Sequence, residues 1–209
     1  MNDQAANSIR RYSENIVIAC ALKKEAKALE AKLRGGQEVV TTGLGTDRTL
    51  RRLERFFEKQ KPSLLIFTGM AGQLAPDLQL GEFVFPESWT FESGTAFSID
   101  PTLAGLLRDR GWGISGIGIT VRRPVVKQKA RLDLNRRTGA LICDMESAAA
   151  LMVSQAYGVP CIAPKIISDT AESGMLAFYR HFSENVEALG REIDRLVSTF
   201  TGEDTTGPR

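Results

Sequence analysis

Three carboxylates, Glu25, Glu146 and Asp169, each fall at the end of an apolar run that reads as a β-strand. In an open α/β sheet a ligand sits outside the carboxyl ends of the strands, which would gather all three on one face. Acids so placed suit cleavage of a glycosidic bond. That reaction needs an acid at the leaving group and a base for the attacking water. A ribose adds the need for an acceptor that holds two vicinal hydroxyls, which one carboxylate can do. Taken singly, each of the three reads more readily as a surface or helix-capping residue.

Two glycine-rich turns follow strands on the same face, Thr42-Gly43-Leu44-Gly45 and Thr68-Gly69-Met70-Ala71-Gly72. Such turns let the backbone approach a ligand and aim N–H groups at it, which makes Gly43, Met70, Ala71 and Gly72 candidate binding positions. Neither is a Walker loop, and Gly43–Arg48 lacks the third glycine of a dinucleotide fingerprint. As isolated motifs they are equally readable as tight strand–helix turns. The single histidine, His181, excludes a multi-histidine metal site and reads as structural. Cys20, Cys143 and Cys161 are widely spaced among small or apolar residues and read as reduced core thiols, so a cytoplasmic location is expected.

The elements that must position these residues alternate along the chain. Strands are expected at 16–22, 38–42, 63–68, 82–86, 113–120, 140–143 and 160–168, and helices at about 24–34, 46–60, 100–110, 127–137, 145–157 and 175–200. Thr46, Asp100 and Asp144 are candidate N-caps. Several strands are continuously apolar, as strands covered on both faces are. The pattern predicts a three-layer α/β/α fold around a central mixed, mostly parallel sheet. With 209 residues, 43% hydrophobic and 25% charged, the chain suits one globular domain. Its expected limits are 15–200, between a polar N-terminal arm (1–14) and a polar tail (201–209). The run 16–22 is followed at once by Lys23-Lys24-Glu25, which favours a core strand over an export signal. No run approaches the roughly 20 apolar residues of a membrane span.

The ordered set Leu22-Lys23-Lys24-Glu25, Thr42–Gly45, Thr68–Pro76, Gly81-Glu82-Phe83-Val84, Asp144-Met145-Glu146-Ser147-Ala148-Ala149 and Ile167-Ser168-Asp169-Thr170-Ala171 resembles the nucleoside phosphorylase family. Within it the likeness is closest to the methylthioadenosine/S-adenosylhomocysteine nucleosidase branch. The compact length is also similar to that of the hopanoid-associated phosphorylases, a subgroup associated with large adenosine conjugates. The resemblance implies that Glu25 activates water, that Glu146 holds the ribose hydroxyls with Met145 beneath the sugar, and that Asp169, helped by Ser168, protonates N7 of a purine. For Asp169 to hold that proton, burial or a neighbouring negative charge is expected around it. Phosphorylases of the family carry an arginine where this chain has Phe67, so hydrolysis is implied over phosphorolysis. The resemblance further implies a homodimer and no metal or organic cofactor.

Three departures from the family pattern stand out. Met70 replaces a serine beside the nucleophile, the stretch between Gly81 and Asp100 is short, and the loop Thr120–Pro124 lacks an aromatic to stack on the base. A phosphorylase and a nucleoside-binding protein without turnover therefore stay open as alternatives. The basic run Arg122, Arg123, Lys127, Lys129, Arg131, Arg136 and Arg137 reads as a solvated helix face. Arg122 and Arg123 are the exceptions, expected to reach an acidic substituent on the substrate. The stripe Arg48, Arg51, Arg52 and Arg55 reads as solvated or interfacial. A net charge of only +2 and the lack of interleaved aromatics speak against nucleic acid.

Overall fold

Strand β1 (Ile16–Cys20) is buried along its whole length, which requires apolar side chains toward both faces. It lies between β2 (Glu38–Thr41) and β3 (Leu64–Phe67), with β10 (Cys161–Ile162) beyond β3, all parallel. A second section runs β5 (Phe83–Val84), β11 (Lys165–Asp169), β4 (Met70–Gln73), β9 (Ala140–Asp144), β8 (Ile117–Thr120), β6 (Ser88–Phe91), β7 (Ala96–Ser98). Its pairings β11–β4, β6–β8 and β8–β9 are parallel, and β11–β5, β4–β9 and β6–β7 antiparallel. The expected mixed, mostly parallel α/β/α architecture is the one observed. The computed structural model describes residues 9, 11–172 and 178–202.

The chain passes between the two sections three times, once through the helix Ser147–Tyr157 that joins β9 to β10 and twice directly from strand to strand, at Thr68–Gly69 and at Ala163–Pro164. The two direct crossings are laced together. Thr68 Oγ1 donates to the Pro164 carbonyl at 3.0 Å, and the Ile166 N–H to the Gly69 carbonyl at 3.1 Å. The crossing at Ala163–Pro164 explains why the expected strand 160–168 is two strands. Strands β4, β6 and β7 were not expected. The first contains two small residues, and the other two are short and partly exposed, so neither carries a strong period-two signal.

The helices are α1 (Lys23–Lys32), α2 (Thr46–Phe57), α3 (Pro101–Asp109), α4 (Gln128–Thr138), α5 (Ser147–Tyr157) and α6 (Phe182–Thr201). Helices α1 and α6 pack together, as do α2 and α5, the latter against β3, β6, β8 and β10. Leu189, Ile193, Leu196 and Val197 of α6 enter the core as their stripe predicts. Residues 175–177 of the expected final helix, and the tail beyond Gly202, lie outside the described residues. Asp100 caps α3, accepting from the Thr102 and Leu103 N–H groups at 2.9 and 3.1 Å. Thr46 is instead the first residue of α2, with Gly45 in the cap position. The arm 1–14 is not wholly solvated, because Tyr12 is buried against Phe200, ring centroids 6.2 Å apart. Among the described residues no helix is long and apolar enough to cross a membrane.

Gly118 of β8 lies opposite Trp89 of β6, and a Cβ at 118 would stand 2.6 Å from the indole. The ring cannot withdraw, since it is fully buried and its Nε1–H donates to the Ala163 carbonyl at 3.2 Å. Gly118→Ala is expected to lower stability by about 1–3 kcal/mol in urea unfolding, the cost of overpacking a filled core.

Candidate active site

A cavity of about 390 Å³ opens where the two sheet sections meet, lined mostly by apolar atoms. Four carboxylates line it, Glu25, Asp144, Glu146 and Asp169, together with the cations Arg131 and Lys165.

Glu25 stands in the first turn of α1, directly after β1. Its Oε2 accepts from the Leu22 N–H at 2.9 Å and its Oε1 from the Met70 N–H at 3.2 Å. Gly69 makes that second contact possible. Its φ of 145° aims the following amide at the carboxylate, and a Cβ at 69 would stand 3.0 Å from Oε1. The group beside Glu25 that holds it is therefore the backbone of Met70, so the loss of a serine side chain there does not strip the carboxylate of its donor. Burial pushes the Glu25 carboxyl above the usual carboxylate range, against the opposing pull of these N–H groups and of Lys165.

Glu146 precedes α5. Its Oε1 accepts from the Gly45 N–H at 2.7 Å and its Oε2 from the Met145 N–H at 3.2 Å. Burial first, and then the negative charge of Asp144, push its carboxyl up to about 7. Asp144, expected as a cap, does accept from the Ser147 N–H at 3.1 Å. It also holds Thr120 Oγ1 at 2.8 Å, Ser147 Oγ at 2.6 Å and Lys165 Nζ at 3.2 Å. Lys165 is 2% exposed, with its ammonium 4.4 Å from the centroid of the Phe67 ring.

Asp169 ends β11. Its Oδ1 accepts from Ser168 Oγ at 2.8 Å, and its Oδ2 from Nη2 of Arg131. Asp169 is buried as expected, but the charged neighbour bonded to it is a cation, not an anion. Arg131, read from sequence as part of a solvated face, is 3% exposed. It shares the inner side of α4 with Leu134, three residues on, and that spacing was the signal available in the sequence. Lys165 was equally legible as a lone lysine inside a continuously apolar run, where only a buried carboxylate could satisfy it.

Of the residues singled out from sequence, Glu25, Met70, Ala71, Gly72, Met145, Glu146, Ser168 and Asp169 line the cavity together. Gly43, Arg122 and Arg123 do not. Gly43 serves the turn, its N–H donating to the Ala21 carbonyl at 3.1 Å. The Arg122 N–H donates to the Glu92 carboxylate at 3.0 Å, and both arginines are exposed, while their neighbours Val121, Pro124 and Val125 form the wall. Phe178 and Tyr179 line the cavity mouth, with rings 5.3 Å apart and nearly perpendicular. All three cysteines are buried and free, and burial pushes their thiols up, as befits core residues. His181 lies outside the cavity and pairs with Glu184 at 2.8 Å.

The raised Glu146 carboxyl has a measurable cost. Between its ordinary value of 4.5 and about 7 the folded protein holds a proton that the unfolded chain releases. Stability from this group therefore falls as pH rises through that window. Glu146→Gln keeps an acceptor for the Gly45 N–H and removes the charge. Chemical denaturation should find the variant level with the parent near about pH 4 and about 1–3 kcal/mol more stable near about pH 8.

Comparison with known proteins identifies the family of this fold. The phosphorylase superfamily profile matches residues 24–201. A 5′-methylthioadenosine/S-adenosylhomocysteine nucleosidase of Aeromonas salmonicida is 24% identical over 200 residues, covering 83% of this chain and 84% of the relative. The Helicobacter pylori 5′-methylthioadenosine/S-adenosylhomocysteine nucleosidase, solved with butyl-thio-DADMe-Immucillin-A, shares the fold. Its TM-score is 0.77 at 15% identity, over 90% of this chain and 99% of that one. Futalosine hydrolase of the same organism gives a TM-score of 0.76 at 16% identity, over 92% and 99%. The Streptococcus pyogenes S-adenosylhomocysteine nucleosidase, solved with 5-methylthiotubericidin, gives 0.76 at 20% identity, over 90% and 96%. By its matched length and its fold, the chain belongs to the phosphorylase superfamily.

Proposed function

We propose that the protein is an N-ribosyl hydrolase that cleaves the glycosidic bond of an adenosine-type purine nucleoside or conjugate. The observation that carries this reading is Glu25, a buried carboxylate held by two backbone N–H groups in the same cavity as Glu146 and Asp169. Burial that raises its proton affinity makes Glu25 a competent base for water. The names of the similar proteins, nucleosidases of methylthioadenosine and S-adenosylhomocysteine and a futalosine hydrolase, support the substrate class.

In this mechanism water attacks C1′ and passes a proton to Glu25. The N9–C1′ bonding pair moves into the purine, which takes a proton at N7 from Asp169. Glu146 accepts from the ribose hydroxyls, and Met145 packs beneath the sugar. Positive charge that develops on the ribose lies among carboxylates, which stabilise it. Phosphate is disfavoured as the nucleophile. Phe67 occupies the position of the phosphorylase arginine, and Lys165, the cation nearest it, is already paired with Asp144. A dianion there would meet Glu25 and Glu146 with no free cation among the described residues that line the cavity to offset them. The open mouth at Phe178 and Tyr179 supports room for a 5′ substituent. The three free cysteines support a cytoplasmic location, and the family resemblance supports a homodimer.

The test is product analysis on methylthioadenosine, S-adenosylhomocysteine, adenosine and inosine, with and without phosphate. Free base and free sugar, independent of phosphate, are expected. Sugar 1-phosphate formed only in the presence of phosphate would make the protein a phosphorylase. Glu25→Gln and Asp169→Asn should each lower kcat by about 10²–10⁴-fold, the usual range for loss of a general base or acid.

A further inference from the structure

Every hydrogen bond that Arg131 makes through its guanidinium ties down the cavity wall around Asp169. Nε donates to the Val125 carbonyl at 2.7 Å, and Nη1 donates to the carbonyls of Gln73 and Asp169, each at 3.2 Å. Nη2 donates to the Asp169 carboxylate. The backbone leaves room for this group. A Cβ at Gly72 would stand 3.3 Å from Nη1 and 3.4 Å from Nη2. A helix that had only to cover the sheet would bury an apolar side chain here, as α4 does at Leu134, because a buried guanidinium is costly unless its donors are met. Since Ser168 Oγ holds the other carboxylate oxygen at 2.8 Å, the plane of the Asp169 carboxylate is fixed from both sides. What remains for a ligand is the set of lone pairs that neither partner uses.

We propose that Arg131 is a positioning residue for departure of the base, acting through Asp169. This rests on the nucleosidase reading. As the N9–C1′ bond breaks, its electron pair enters the purine and N7 takes the proton carried by Asp169. The carboxylate so formed keeps its contacts with Arg131 and Ser168. Solvent returns a proton to Asp169, and takes one from Glu25, before the next turnover. Arg131 thus governs the half of the reaction that needs an acid, and has no part in the attack of water.

A pair of substrates separates the two halves. Methylthioadenosine needs a proton on its leaving group, whereas 4-nitrophenyl riboside releases a stable phenolate without one. For Arg131→Met we expect a fall of about 100-fold in kcat on methylthioadenosine, with KM changed only a few-fold. On 4-nitrophenyl riboside the variant should stay within a few-fold of the parent, which also reports that it is folded. Arg131→Lys, which keeps the charge but not the fork of donors, should recover part of the loss. If Arg131→Met loses both activities by the same factor, or neither, the positioning role is wrong while the nucleosidase reading stands. A parent protein that cleaves neither substrate removes the nucleosidase reading and this role with it.

Discussion

Four carboxylates around one small cavity cannot all be buried as anions unless cations are buried with them. Lys165 and Arg131 answer that constraint, and much of the surrounding structure is arranged to hold them. Asp144 is the fixed point on one side. Its two oxygens gather donors from β8, from the start of α5 and from β11, so one carboxylate ties the sheet to the helix that Glu146 precedes. Removing one partner of such a pair generally costs about 3–5 kcal/mol, because the other is left charged and alone. Asp144 is thus a structural acid in a catalytic setting.

The charges are not spread evenly. Among the described residues that line the cavity, Glu25, Asp144 and Glu146 share one ammonium, that of Lys165, and both Glu25 and Glu146 are pushed toward their neutral forms. Around Asp169 there is a guanidinium in direct contact. On the proposed reading, the side that would hold water and sugar is short of positive charge, and a sugar that becomes cationic would make up the deficit. On that reading the site would be preorganised in the electrostatic sense, best matched part-way through the reaction.

How much of this the sequence disclosed follows from how local each signal is. Glu25, Glu146 and Asp169 stand beside the strand ends that present them, so a reading of strand boundaries finds them. Their cationic partners come from elsewhere. Arg131 reaches Asp169 across 38 positions, and Lys165 reaches Asp144 across 21, so neither pairing has a short-range pattern. Charge density misled as well. Arg122 and Arg123 are conspicuous in a basic run yet turn to solvent, while Arg131 in the same run is the one drawn inside. At position 70 the contact that the structure shows does not depend on the side chain. The amide there carries the contact to Glu25, and an amide is present whatever residue is chosen.

The passage of the chain from one sheet section to the other at Thr68–Gly69, laced to the later passage at Pro164, has a consequence for timing. Glu25 follows a strand of the first section, and Asp169 ends a strand of the second. On the proposed reading, the interval between the group that acts on water and the group that acts on the base is therefore set by a seam in the backbone. Motions that flex this seam would change both reaction distances at once and leave each half-site intact. A protein softened there would go on gripping its ligand while its two chemical events fell out of step.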